Sequence, residues 1–138
     1  MPSDRGSDDA CTNDQDMWST HFWNTNLEGR KRWILFPADQ SEYLYPSASN
    51  KPNAVIRFDV QPDNPDLKRF PLFEKTKGLE CTVGPGEMIV VPADWIHWVI
   101  SLDPTISLTH NYMGPGNFRP ALTGQLKWYM DTKRSHRN

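Results

Sequence analysis

Cysteine is scarce in this chain of 138 residues, which holds two, Cys11 and Cys81. They lie far apart without CxxC or zinc-type spacing, which excludes a disulfide framework and suits an ordinary reducing compartment, cytoplasmic or nuclear. An excess of one charge is lacking too. Fifteen basic side chains stand against 17 acidic ones, so no general attraction to nucleic acid or to an anionic membrane is implied. Long apolar runs are missing because proline and charged residues interrupt each one, and this excludes a membrane-spanning helix. The opening MPSDRGSDDA is polar and is no signal peptide. No internal repeat is visible. What the chain does have is six Trp and twelve Pro, the texture of one domain with an all-β core and many turns.

The stretch from Gly84 to Tyr112 reads as three strands, because Gly84-Pro85-Gly86 and Pro92-Ala93-Asp94 break runs rich in Val, Ile and Trp. In the middle strand, alternation places His97 with Val99 and Ser101 on one face and Ile96, Trp98, Ile100 and Leu102 on the other. A buried imidazole there is either a hydrogen-bonded core residue or a metal ligand.

Upstream, residues 1 to about 16 are polar and read as a solvated, mobile terminus, with Asp4, Asp8 and Asp9 as solubilising charge. Met17 to Phe36 reads as a hairpin turning at Glu28-Gly29. Pro37 ends its second strand. The loop that follows carries Tyr43, Leu44 and Tyr45 as a packing anchor. Val55 to Val60 is a further short strand, and the Pro-rich segment after it is a loop pinned by Phe70, Leu72 and Phe73. The loops at 43–53 and 61–73 are the places for substrate or partner recognition. At the end, a helix from Ala121 to about Lys133 turns Leu122, Leu126 and Tyr129 or Met130 inward. A solvated basic tail follows. The chain thus divides into a polar terminus (1–13), the domain (14–118) and a C-terminal helix with its tail (119–138).

Pro-Gly-Glu, a short apolar strand, Val-Pro, Trp-x-His and a strand ending Thr-x-Asn-Tyr together resemble the C-terminal half of a Jumonji-C domain. Trp23-Asn24 and Gly29-Arg30-Lys31-Arg32-Trp33-Ile34-Leu35-Phe36-Pro37 are similar to the segment that precedes it in that family. The resemblance covers about residues 12 to 118. It implies a mainly β, cupin-like double-stranded β-helix, or jelly roll, with a short C-terminal helix. It also implies Fe(II) and 2-oxoglutarate as cofactors of an oxygen-dependent hydroxylase or lysyl demethylase. By the resemblance His97 is the last metal ligand, and Lys31 pairs with the distal carboxylate of 2-oxoglutarate. Asn24 and Thr109 give neutral hydrogen bonds to the same molecule. From the residues alone, Lys31 reads as one of four hairpin charges, Glu28, Arg30, Lys31 and Arg32, facing water. Arg30 and Arg32 fall on the face opposite Lys31, while Trp33 and Leu35 share its face and wall the pocket.

Two departures stand out. The family sets a His-x-Asp pair with its His nine residues ahead of the Trp before Asn, and counting back from Trp23 reaches Asp14-Gln15-Asp16. Asp16 therefore stands for the carboxylate ligand and Asp14 for the imidazole, a set that favours harder metals than a two-His site does. Both are also readable as continuation of the acidic terminus. His21 fails the motif and shares a face with Trp23 and Thr25, His110 points outward and His136 lies in the tail. The second departure is the strands and helices that precede the His-x-Asp pair in the family. Without them the barrel is incomplete on its N-terminal side, with an open edge for a partner or second copy to cover. Two functions follow from the resemblance: a 2-oxoglutarate-dependent oxygenase acting on a protein, or a catalytically impaired module that serves as a binding or scaffold protein.

Overall fold

The computed structural model describes residues 11–48, 50 and 54–135. The expectations placed on residues 1–10, His136 and Arg137 lie outside the described residues. Eight strands and a helix follow in order: β1 (Cys11–Gln15), β2 (His21–Glu28), β3 (Lys31–Phe36), β4 (Ile56–Arg57), β5 (Leu79–Val83), β6 (Met88–Val91), β7 (Ile96–Ser101), β8 (Ile106–Tyr112) and α1 (Phe118–Ser135). They form a five-stranded sheet, β4-β1-β7-β3-β5, and a three-stranded sheet, β6-β2-β8. Every ladder is antiparallel. The result is the expected mainly β, cupin-like jelly roll.

Period-two alternation explains how the chain fills both faces of the large sheet. On β7, Ile96 and Trp98 join Ile34, Phe36, Leu44, Phe58, Val60 and Phe70 in one buried cluster. The loops between β3 and β5 supply its lid, because Leu44 lies in the 3-10 turn Ala38–Leu44 and Phe70 precedes the turn Pro71–Lys75. The opposite face contributes Trp33, Leu35, Val83 and Val99 to a second cluster with Phe22, Ile89 and Val91. Those last three come from the small sheet, so this cluster fills the space between the sheets. Among the described residues no helix is long and apolar enough to cross a membrane.

Several expectations need correction. β2 and β3 are not a hairpin: β2 pairs with β6 and β8, whereas β3 pairs with β5 and β7 in the other sheet. The turn between them is a corner. Gly29 sits there at φ +70°, and a Cβ would overlap the Pro104 carbonyl oxygen, so only glycine fits. Residues 11–15 are a strand inside the large sheet, held by β7 and β4, and no mobile terminus. Their polar composition hid this. β5 went unread because its face is largely exposed. The side chain of Leu72 is exposed, and Phe70 and Phe73 are the residues of that loop packed in or against the core. In α1, Leu122, Leu126, Tyr129 and Met130 are exposed, whereas Ala121 is fully buried. The helix approaches the Met17–Ser19 turn at Gly124, which lies against Trp18, and at Trp128, whose ring meets Trp18 edge-on at 5.7 Å.

Candidate functional site

The inner face of the large sheet brings His97 and Asp14 together. The β1–β7 register sets Asp14 directly opposite His97, and Leu35 of β3 lies on its other side. His97 Nε2 is 3.7 Å from Asp14 Oδ1, and the two side chains are 9% and 21% exposed. Phe22 and Trp33 pack against the imidazole at ring distances of 4.8 and 6.2 Å. His97 Nδ1 is buried without a hydrogen-bond partner, which is costly for a group that needs one.

Asp16 stands just beyond β1, at the start of the 3-10 turn Met17–Ser19. Its Oδ2 accepts a hydrogen bond from Asn111 Nδ2 at 3.0 Å. The same amide donates to Thr20 Oγ1 at 3.0 Å, so Asn111 ties both ends of the segment 16–20. A cleft of about 390 Å³ opens beside it, lined by Asp16, Trp18, Thr20, Asn111, Tyr112 and Gln125 among others. Among the described residues no three His, Cys, Asp or Glu side chains form a ready metal cluster. The structure thus pairs His97 with Asp14 and turns Asp16 toward Asn111.

Lys31 enters the space between the sheets from β3. Its ammonium donates to Ser107 Oγ on β8 at 2.7 Å, and burial lowers its pKa below the usual lysine value. Among the described residues no carboxylate lies within ion-pair distance of it. Its neighbours behave differently, because alternation turns them outward to Asp103 and Glu80. Arg30 meets Asp103 at 2.7 Å and Arg32 meets Glu80 at 2.6 Å.

Asn24 and Thr109 are cross-strand partners on β2 and β8. Asn24 is buried and its Oδ1 has no partner. Thr109 is exposed and donates its hydroxyl proton to the Trp23 carbonyl at 2.8 Å, which leaves its oxygen as an acceptor. Three polar residues on the same strand faces as Asn24 and Thr109 escaped the sequence reading. Ser107 and Asn111 follow from the alternation that already set Thr109 inward. Asn26, fully buried, donates to the carbonyls of Val83 at 2.7 Å and Gly29 at 3.3 Å. Trp33 adds a buried indole N–H without a partner.

This interior suits a small anionic ligand. It offers an unbalanced ammonium, an unpaired indole donor and amide groups, walled by Phe22, Trp33 and Leu35. His97 and Asp14 are two donors of the kinds that hold a divalent cation, and Asp16, bonded to Asn111, is not grouped with them among the described residues. His21 belongs to the outer face: its Nδ1 accepts the Ala93 amide at 2.8 Å and its ring lies 5.3 Å from Tyr112. His110 also faces outward, against Trp23 at 6.4 Å.

The family model of the cupin-like domain matches residues 15–117. Arginine-specific demethylase JMJ20 of Arabidopsis thaliana is 37% identical over 120 residues, covering 87% of this chain and 25% of the relative. The 2-oxoglutarate and iron-dependent oxygenase JMJD4 of Gallus gallus is 33% identical over 104 residues, covering 74% of this chain and 23% of the relative. HSPB1-associated protein 1 of Homo sapiens is 41% identical over 83 residues, covering 59% and 17%. The chain therefore spans a quarter or less of the length of these relatives. By its fold, its motifs and these matches, the chain belongs to the cupin-like domain family of Jumonji-C type.

Proposed function

We propose that this chain holds 2-oxoglutarate through Lys31, Asn24 and Thr109 and a divalent metal through His97, Asp14 and Asp16. In this reading it is the core of an Fe(II)- and 2-oxoglutarate-dependent oxygenase that acts on a protein side chain, as hydroxylase or demethylase. The observation that carries the reading is Lys31: a cation between two sheets, bonded to a neutral hydroxyl and, among the described residues, without a carboxylate in ion-pair reach. Such a charge is costly unless an anion completes it. The distal carboxylate of the cosubstrate would accept from the Lys31 ammonium and the rest from the Asn24 amide N–H, and Thr109 could join only by turning its hydroxyl proton from the Trp23 carbonyl to the ligand. Phe22, Trp33 and Leu35 exclude water from that volume. Bound iron and 2-oxoglutarate supply the oxidising power for oxygen-dependent hydroxylation, and the chain supplies ligation, orientation and a dry wall.

A second reading is a catalytically impaired module that binds a protein partner. Asp14 in the imidazole position favours it, as does the lack of a preformed cluster of three ligands among the described residues. A relative whose name marks it as an associated protein of HSPB1 agrees with a binding role. In either reading the partner is a protein.

The deciding measurement is Mn(II) binding by calorimetry, with and without 2-oxoglutarate, on this chain and on Asp14→His. Mn(II) replaces Fe(II) without oxidising. Joint binding of metal and 2-oxoglutarate by the unaltered chain supports the oxygenase reading. Binding only by Asp14→His supports the impaired module. Binding by neither removes both ligands from the account.

A further inference from the structure

The outward side of α1 is patterned. Helical spacing puts Phe118, Leu122, Leu126 and Tyr129 in one stripe, with Met130 beside it. Each is exposed, from 38% at Leu122 to 63% at Met130. Such a stripe is ordinarily what a surface helix buries, yet α1 is held to the body by its other side, where Gly124 lies against Trp18, Trp128 meets Trp18 edge-on at 5.7 Å and Ala121 is fully buried. Arg119, Lys127, Lys133 and Arg134 are exposed on the same helix. Among the described residues no carboxylate lies within ion-pair distance of any of the four, and the Lys133 ammonium stands over the Tyr129 ring at 5.7 Å. Four cations less one acid, Asp131, leave α1 at +3, while the whole chain is at −2, so the rest of it is at −5. On the side of the stripe toward the body lies a hollow of about 430 Å³, lined by Trp18, Leu122, Gln125, Leu126, Trp128 and Tyr129.

We propose that this face of α1 docks an acidic amphipathic segment of a partner protein. The segment lays apolar side chains along Phe118, Leu122, Leu126 and Tyr129, seats one of them in the hollow beside Trp18 and Trp128, and sets carboxylates against Arg119, Lys127, Lys133 and Arg134. Charge selects the occupant: the cationic pole of an otherwise acidic chain attracts an anionic partner, and the acidic remainder confines that partner to α1. A second copy of the chain is disfavoured, because pairing two such stripes brings two faces of +3 together. A lipid surface would match the stripe and its cations but would leave the hollow unfilled. An aromatic-walled hollow that takes an inserted side chain is the usual centre of a protein interface. The inference does not depend on what fills the interior between the sheets.

The test uses a fluorescent synthetic peptide of leucine and glutamate, spaced as an amphipathic helix of the length of α1, with a version carrying lysine for glutamate as its control. Anisotropy on the full chain is expected to show binding of the acidic peptide, weakening as salt rises, and none of the basic one. Leu122→Gln with Leu126→Gln removes the stripe, and Lys127→Glu with Arg134→Glu reverses the charge. All four positions are exposed, so the melting temperature is expected to hold. Each pair is expected to weaken the acidic peptide by about tenfold or more, and the charge-reversed chain to gain the basic peptide. Binding of both peptides alike, of neither, or of the acidic one with both variant pairs unaffected overturns the proposal. Two further arms address the rivals: flotation with vesicles of phosphatidylcholine and phosphatidylserine, and sedimentation of the chain alone over a concentration series. Vesicle binding without peptide binding, lost in the variant pairs, makes this a lipid face. A dimer lost in the same pairs makes it a self-contact, and either result overturns the acidic partner.

Discussion

Lys31 carries a charge that no described group inside the barrel balances, and this has a pH signature. Its pKa in the native chain is lowered by burial from the ordinary 10.5. Below the lowered value both native and unfolded chains hold the proton, and the cost of the buried charge is present in full. As pH rises from the lowered value toward 10.5, the native chain sheds its proton first, so this residue's contribution to stability improves with pH. Lys31→Met is therefore expected to melt higher than the unaltered chain at pH 7, with the gap closing as pH approaches the ordinary lysine value. The same variant is expected to lose any stabilisation by 2-oxoglutarate, because a ligand raises the melting temperature only of a chain that binds it. A melting series from pH 7 to 10, with and without 2-oxoglutarate, checks both. The inward placement of Lys31 followed from the family pattern and not from its neighbours, since Arg30 and Arg32 carry the same charge and face water. Asp14 was legible only by counting from Trp23, because its surroundings are acidic and polar. That it lies opposite His97 needed the β1–β7 register, which no local signal carries.

At the scale of the element, strand identity was more legible than strand partnership. The runs of Val, Ile and Trp and the breaks at glycine and proline marked β2, β3, β6, β7 and β8. They could not say that β2 and β3 enter different sheets, because alternation reports which face is buried and not which neighbour is bonded. The corner that separates them makes a prediction. Gly29→Ala places a methyl against the Pro104 carbonyl and forces a left-handed φ on alanine. It is expected to cost at least about 1–3 kcal/mol, read as a lower urea midpoint with unchanged slope. Trp98→Ala is a contrasting case within β7. Trp98 is fully buried in the cluster with Leu44 and Phe70, so the loss expected is about 3–5 kcal/mol, with the His97 face left in register. Helix α1 was legible in existence and wrong in face, because it meets the Met17–Ser19 turn at Gly124 and Trp128 and not along the Leu122, Leu126 and Tyr129 stripe.

For the molecule as a whole, the outer face of the small sheet is the unfinished surface. Met88, Val90, Ile106 and Leu108 are each more than half exposed, and the register sets Val90 and Met88 across from Trp23 and Thr25, with Leu108 on the other flank. A contiguous apolar face of this kind binds hydrophobic probes. The chain is expected to enhance the fluorescence of a hydrophobic dye in the native state. Val90→Lys with Leu108→Lys is expected to reduce that signal sharply while shifting stability by no more than about 0.5 kcal/mol, as surface changes do.

The arrangement of strands also sets the order in which this protein can come into being. Lys31 meets Ser107 across 76 residues of chain, and Trp23 meets Thr109 across 86. Neither sheet can close until β7 and β8 exist, since β7 is the bond between β1 and β3 and β8 is the second neighbour of β2. On a ribosome β1, β2 and β3 can pair with β4, β6 and β5, but each must wait with one side open until the last third emerges. Long-range pairing of this kind folds slowly and leaves edges open to wrong partners meanwhile. The two halves of the candidate site, Asp14 with Asp16 and His97, are thus joined at the last step of folding, and a chain interrupted before β7 has no site at all.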